Sequence, residues 1–304
     1  MSLTPTEVAN IRLCLSGAKN PEDFGWSKQD LAAWIELVKT DPVAFVMFGV
    51  WSRRVKEVDI ETGEDRPAKD PLVPFIPWPK QCEMIRVMCS AVERGQDICV
   101  AKSRETGVSV LSTALAVWGW LFQKWDVLLC SRTEALVDRS GDPDTLFAKV
   151  EHVLKYLPPS WLPCPLQDLL SGGRRRRHCI LEHPNGNAIT GEATTSHIGR
   201  GARKTIVLFD EAASQERFEE GWRSAADTAA SRWAVSTHLV GSYFTNTLWE
   251  TSKQTESPLP ILLTYVDDPQ KSAGGELRVD HDGTITGDPG RSFWWSPWLE
   301  IQRK

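Results

Sequence analysis

Residues 98–109, Ile-Cys-Val-Ala-Lys-Ser-Arg-Glu-Thr-Gly-Val-Ser, limit what this chain can fold into more than any other stretch. A short apolar run meets a polar turn with one glycine. Ser109 then opens a segment with apolar residues at helical spacing (Val110, Leu111, Leu115, Val117, Trp118, Leu121), so the string reads strand, loop, helix. Such a loop turns backbone N–H groups and the positive end of its helix toward one point. A polyphosphate binds there, a lysine adds a point charge, and a serine hydroxyl ligates Mg²⁺. The usual spacing, G-x-x-x-x-G-K-[ST], is not met: Lys102 stands at the first glycine and Val108 at the lysine. Lys102, at the start of the turn, is the lysine the loop offers. Taken alone, the motif does not separate a phosphate cradle from an ordinary glycine turn.

Two further segments supply what the loop lacks. Lys204-Thr-Ile-Val-Leu-Phe209-Asp210-Glu211 is a buried-strand pattern ending in two adjacent carboxylates. One can hold Mg²⁺ while the next polarises an attacking water, although such a pair also occurs as a plain helix cap. Arg232-Trp-Ala-Val-Ser236-Thr237-His238 is another short strand that ends in hydroxyls. Three strands delivering polar groups from their carboxyl ends are how an open parallel sheet builds one site.

The order of these segments resembles the ATPase part of a tailed-bacteriophage terminase large subunit. It runs K-S-R-x-T-G-x-S from Lys102, then G-R-G-x-R from Gly199, D-E-A from Asp210, and S-T-x-x-x-G-x-x-F from Ser236, and the likeness covers roughly residues 75–250. In that family a deviant cradle with its lysine at the start of the loop is familiar. The resemblance implies an α/β P-loop NTPase of the ASCE type, with a mostly parallel sheet flanked by helices and a helical N-terminal addition. It implies ATP and Mg²⁺ as cofactors and nucleotide binding by Gln81, Lys102, Ser103, Arg104, Glu105, Thr106, Gly107, Val108 and Ser109. Ser109 and Asp210 would hold the metal, and Glu211 would activate water. Arg104 would act in cis, and Arg200 or Arg203 would reach a neighbouring subunit's γ-phosphate. Ser236, Thr237 and His238 would form the coupling motif. Gln81 would read the adenine edge, because an amide can both donate and accept there. The implied partners are double-stranded DNA, a portal protein, a small terminase subunit and further copies of the chain in a ring. The implied place is the host cytoplasm, outside the mature virion. A nuclease domain is expected after the ATPase, and its acidic cluster does not follow before Lys304. Either the chain stops at the domain boundary or the nuclease is a separate polypeptide. A helicase-like remodeller would share the same cradle and acid pair. A non-catalytic assembly module would explain Val108 at the lysine position.

A formal net charge of −5 argues against a protein that coats nucleic acid over its whole surface, so contact must come from local patches. The most basic stretch is Gly173-Arg174-Arg175-Arg176-Arg177-His178, which could contact DNA phosphates or simply be a solvated loop. Seven cysteines without a C-x-x-C pair, with Cys89, Cys99 and Cys130 inside apolar segments, fit a reducing compartment. The N-terminal Met-Ser-Leu-Thr-Pro-Thr-Glu has neither a basic region nor an apolar core, and no segment approaches 18 uninterrupted apolar residues, so no membrane partner is expected. His183 and His197 have no second ligand at zinc spacing, and the metal expected is nucleotide-bound Mg²⁺. Three parts are expected: residues 1–70 helical and then proline-rich, 71–266 the ATPase core, and 267–304 a turn-rich tail.

Overall fold

The computed structural model describes residues 4–53, 56–58, 65–67, 72–199, 201–280 and 291–296. Local signals place the first helices. Thr4 caps α1 (Pro5–Leu15) through a capping box with Glu7, and Ser27 caps α2 (Lys28–Thr40) with Asp30. Asp41 ends α2, and its carboxylate accepts from the amides of Val43 and Ala44 to start α3 (Pro42–Gly49), which has Pro42 at its first position. Short antiparallel pairs follow, β1 (Trp51–Arg53) with β4 (Leu72–Pro74) and β2 (Lys56–Val58) with β3 (Asp65–Pro67).

The remaining chain alternates strand and helix. In order come α4 (Pro79–Glu93), β5 (Ile98–Lys102), α5 (Val108–Phe122), β6 (Val127–Ser131), α6 (Glu134–Val137), α7 (Leu146–Tyr156) and α8 (Leu166–Leu169). There follow β7 (Arg176–Arg177), β8 (Ile180–Glu182), β9 (Ala188–Ala193), β10 (Lys204–Asp210), α9 (Phe218–Ser224), β11 (Ala229–Ser236), α10 (Glu250–Thr255) and β12 (Leu259–Leu263). One eight-stranded sheet takes the order β12-β5-β11-β10-β6-β9-β8-β7. Its first six strands run parallel, and β8 and β7 are added antiparallel at one edge. The mixed α/β class and mostly parallel sheet are those expected. The hairpin turn at Pro184–Asn187 also stands where expected, between β8 and β9.

Alternation along the strands makes two cores. Ile98 and Val100, Val127 and Leu129, Ile206 and Leu208, Trp233 and Val235 face one side of the sheet. Cys99, Leu128, Val207, Phe209 and Ala234 face the other, against Phe218, Trp222 and Phe244. The first core continues without a break into α1, α2 and α3, and Trp118 Nε1 donates to the Val38 carbonyl at 2.9 Å. The N-terminal helices thus share the core of the sheet. Buried Arg12 fastens this corner by donating to the carbonyls of Met47 (2.8 Å) and Val50 (3.0 Å), and burial pulls its pKa down to about 10.

Tight packing explains part of the tryptophan content. A Cβ on Gly119 would stand 1.9 Å from the Trp125 ring, which packs edge-on against Trp118 and Trp233. All seven cysteines are free. Among the described residues no helix is long and apolar enough to cross a membrane. In the tail, β13 (Glu276–Asp280) pairs antiparallel with β14 (Arg291–Trp295), and the end of the chain at Lys304 lies outside the described residues.

Candidate functional site

The expected residues converge at the carboxyl ends of β5, β10 and β11. Lys102 is the last residue of β5, and its side chain is 8% exposed. Its Nζ lies 3.0 Å from Glu211 Oε1, across 109 positions of sequence. Ser109, in the first turn of α5, donates its hydroxyl to Asp210 Oδ1 at 2.8 Å. These contacts join the loop after β5 to the end of β10, although β11 lies between the two strands in the sheet. The donor set is a hydroxyl and two carboxylates beside a lysine, hard oxygens of the kind that hold Mg²⁺ next to phosphate.

Two positions of the loop have physical reasons. Val108 begins α5 and is buried, 1% exposed, so a lysine there would have to leave the core to reach any ligand. Lys102 stands at the strand end instead. Gly107 has φ +72°, and a Cβ there would meet the Phe75 ring at 3.0 Å. Only glycine takes both that backbone and that approach at low cost.

Two carboxylate residues of this site hold the left-handed backbone without being glycine: Glu105 in the loop (φ +57°) and Glu211 (φ +54°). Each costs of order 1–3 kcal/mol and persists where surroundings over-determine it. The supports of Glu211 are visible. Gln215 Nε2 donates to the Asp210 carbonyl at 2.7 Å and is itself held by Thr194 Oγ1 on Gln215 Oε1 at 2.6 Å. Ser236 Oγ accepts from the Ala213 amide at 3.0 Å, so the expected coupling residue braces the turn that follows the acid pair. His238 packs edge-on against Trp249, and Thr237 continues the chain beyond β11.

Gln81 is 4% exposed and its amide is held at both ends, with Nε2 donating to the Thr106 carbonyl at 2.9 Å and Oε1 accepting from the Trp78 amide at 3.0 Å. It therefore fixes the cradle loop to the start of α4. Thr106 donates to the Ser103 carbonyl at 3.0 Å, and Arg104 and Glu105 stand exposed at the tip.

Two lysines were not anticipated from sequence. Lys149 of α7 brings Nζ within 3.7 Å of Asp210 Oδ2. Lys271 donates to the carbonyls of Glu105 (3.0 Å) and Arg104 (3.4 Å), and lies 3.7 Å from Asp268 Oδ2. No local pattern announces either, since both act from elements distant in sequence.

The remaining arginines stand elsewhere. Arg203 is exposed and precedes β10, whose opposite end carries Asp210. Seven residues of strand separate the two by about 20 Å, so the loop is not beside its own acid pair. Arg200 lies outside the described residues. Arg174 pairs with Asp168 at 2.7 Å, and Arg177 pairs with Glu182. Arg176 is buried against Asp138 (2.9 Å) and Glu151 (2.8 Å). Three of the four arginines expected to be open to DNA are thus matched by carboxylates within the chain, and Arg176 is out of reach of any phosphate.

No family model and no curated protein matches the sequence. Among solved structures, the large terminase of a thermophilic bacteriophage is similar at 13% identity with a TM-score of 0.41, over 62% of this chain and 45% of that one. The chain therefore spans less than half the length of that protein, and a likeness at that score assigns neither the site nor the activity.

Proposed function

We propose that this chain is a nucleotide-hydrolysing motor domain of a phage DNA-packaging terminase, coupling ATP hydrolysis to movement of double-stranded DNA into a procapsid. The observation that carries the reading is the double contact of Ser109 with Asp210 and Lys102 with Glu211, which unites segments about a hundred residues apart. The strand order supports it, with the Ser236 strand inserted between the cradle strand and the acid strand, as in the ASCE-type arrangement.

Ser109 and Asp210 would hold Mg²⁺, which when bound supplies charge neutralisation along the phosphates. Lys102 adds a cation at the mouth of the cradle, and the free amides at the start of α5 face the same point. Glu211, held in its left-handed backbone by the braces at Asp210 and Ala213, orients and deprotonates the attacking water. Ser236 senses the same turn from β11 and passes its movement into the sheet. Arg203, exposed and far from its own acid pair, fits a role only toward a neighbouring subunit of a homo-oligomeric ring. Double-stranded DNA, a portal protein and a small terminase subunit are the partners of such a ring, which works in the host cytoplasm.

ATP hydrolysis by the purified chain, measured across protein concentration with and without duplex DNA, tests this. The expected result is slow Mg²⁺-dependent turnover that rises with concentration and with duplex. No hydrolysis under any of these conditions, or unwinding of a forked duplex without a procapsid, would overturn it.

A further inference from the structure

A second cluster lies at the far edge of the sheet, away from the cradle. β7 and β8 are joined by a two-residue turn, His178-Cys179, since Arg177 pairs with Ile180. Tight hairpins favour Asn-Gly or glycine at such positions because the backbone needs positive φ. Here Cys179 holds φ +55°. A histidine and a cysteine therefore occupy a turn whose backbone would be less strained with other residues, so the reason for them lies in the side chains.

Those side chains converge. The His178 Nε2 lies 2.8 Å from Glu134 Oε1 and 3.7 Å from Cys179 Sγ. The other ring nitrogen, Nδ1, lies 3.5 Å from Asp138 Oδ2. Asp138 is buried and fixed in turn by Arg176 on Oδ1 (2.9 Å) and by the Cys179 amide on Oδ2 (2.6 Å). One ligand atom from each of Asp138, His178 and Cys179 falls within 4.8 Å of the others.

A tetrahedral zinc ion with Zn–N near 2.0 Å and Zn–S near 2.3 Å sets neighbouring ligand atoms roughly 3.3–3.6 Å apart. The Asp138 Oδ2 to His178 Nδ1 distance of 3.5 Å already matches that, and the rest of the Asp138–His178–Cys179 triad, within 4.8 Å, has to close by about an ångström at most. Glu134, 2.8 Å from Nε2, is the orienting carboxylate that ligating histidines require. Charge favours a cation as well: Glu134 and Asp138 both approach His178, and Asp138 shares its arginine, Arg176, with Glu151. A bare Glu134–His178 surface pair would contribute little to stability and would not explain the cysteine.

We propose that Asp138, His178 and Cys179 form a zinc site with an open fourth position, oriented by Glu134 behind the histidine ring, which staples the end of α6 to the β7–β8 hairpin. It is the ligand set, one imidazole, one thiolate and one carboxylate, that suits zinc over Mg²⁺ or Ca²⁺. Such a site would add a second metal to the Mg²⁺ expected from the sequence.

The test is zinc binding by the full chain after chelator treatment, read by competition with a chromophoric zinc indicator, and repeated with Co²⁺ to record the thiolate-to-cobalt absorption. The expected result is one equivalent bound with a cobalt–thiolate band. Cys179→Ser should abolish the band, and His178→Gln should weaken zinc binding at least tenfold, while Cys164→Ser leaves both unchanged. Circular dichroism of each metal-free variant shows whether it is folded. Binding of less than one equivalent, or an unchanged band and affinity in folded Cys179→Ser and His178→Gln, would overturn the proposal.

Discussion

Lys102 and Arg176 are both buried cations that meet carboxylates, and they differ in how many partners each has. Arg176 is saturated: it binds Asp138 and Glu151, reaches the Arg177 carbonyl, and lies 4.2 Å over the Phe147 ring. Lys102 meets one carboxylate, that of Glu211, which is 45% exposed at the mouth of the cradle. A saturated cation has no spare donor for a ligand and serves the fold. A cation with one exposed partner can exchange that partner for a phosphate. The two regions teach that burial alone does not mark a functional charge; the count and exposure of its partners do.

The sharpest way to break this comparison is at the acid pair. Glu211→Gln keeps shape and removes the base, so hydrolysis should fall about 10²- to 10⁴-fold while Mg-ATP binding and stability hold. Lys102→Ala should lower both affinity and turnover. Asp210→Asn should add a weakened dependence on Mg²⁺. Normal hydrolysis by Lys102→Ala in a steady-state assay would place the phosphate elsewhere.

At the other region the large effect is on stability. Arg176→Ala leaves Asp138 buried without its cation, and loss of one member of a buried pair costs about 3–5 kcal/mol. Urea unfolding should show that loss, against a much smaller one for Lys102→Ala. Equal losses in the two variants would erase the distinction between saturated and exchangeable cations.

Lys271 tests an intermediate case, a buried lysine whose partners include backbone. Its bonds to the Arg104 and Glu105 carbonyls hold the loop at its strained residue, Glu105. Lys271→Met removes the charge-assisted bonds, each worth roughly 1.5–3 kcal/mol at most, so ATP affinity should fall about tenfold with kcat less affected. If kcat falls and KM does not, Lys271 acts on the chemistry and does not merely shape the cradle.

Much of this was legible in the chain. The strands β5, β6, β10, β11 and β12 are apolar runs of five to eight residues with sharp ends, and the helices carry caps, so period and punctuation locate them. The meeting of Lys102, Ser109, Asp210 and Glu211 followed from chemistry required at one point, although the direct Lys102–Glu211 pair did not. Lys149, Lys271, Gln215 and Thr194 did not, because their contribution depends on which way a distant helix or loop is turned in space. The arginine stretch misled for the opposite reason. Asp168 and Glu182 sit six and five residues from Arg174 and Arg177, so ordinary local pairing consumed the charge that looked available. The positive φ of Cys179 leaves no signature in a sequence that lacks the customary Asn-Gly.

Helix α7 connects the two regions: Lys149 reaches Asp210, Glu151 reaches Arg176, and His152 reaches the Trp51 carbonyl through Nε2 at 3.0 Å. Burial lowers the pKa of His152 below 6.5, the Trp51 hydrogen bond opposes that, and the nearby charges of Arg53 and Lys155 add to it. The folded chain therefore takes up this proton less readily than the unfolded one. Stability is full above the unfolded value near pH 6.5 and declines as pH falls through it, because the unfolded state then binds more protons. Thermal unfolding followed from about pH 7.5 to about pH 5.5 should show that decline in the parent chain and a shallower one in His152→Gln, which keeps a donor for Trp51 without titrating. His183, also pushed down mainly by burial, acts in the same direction, so some slope remains in the variant. Hydrolysis normalised to folded protein should keep its own pH profile in His152→Gln, since His152 supports the helix from the side of β1 while Lys149 faces the acid pair. Parallel unfolding slopes in the two proteins would mean that His152 is not the group that couples α7 to acid.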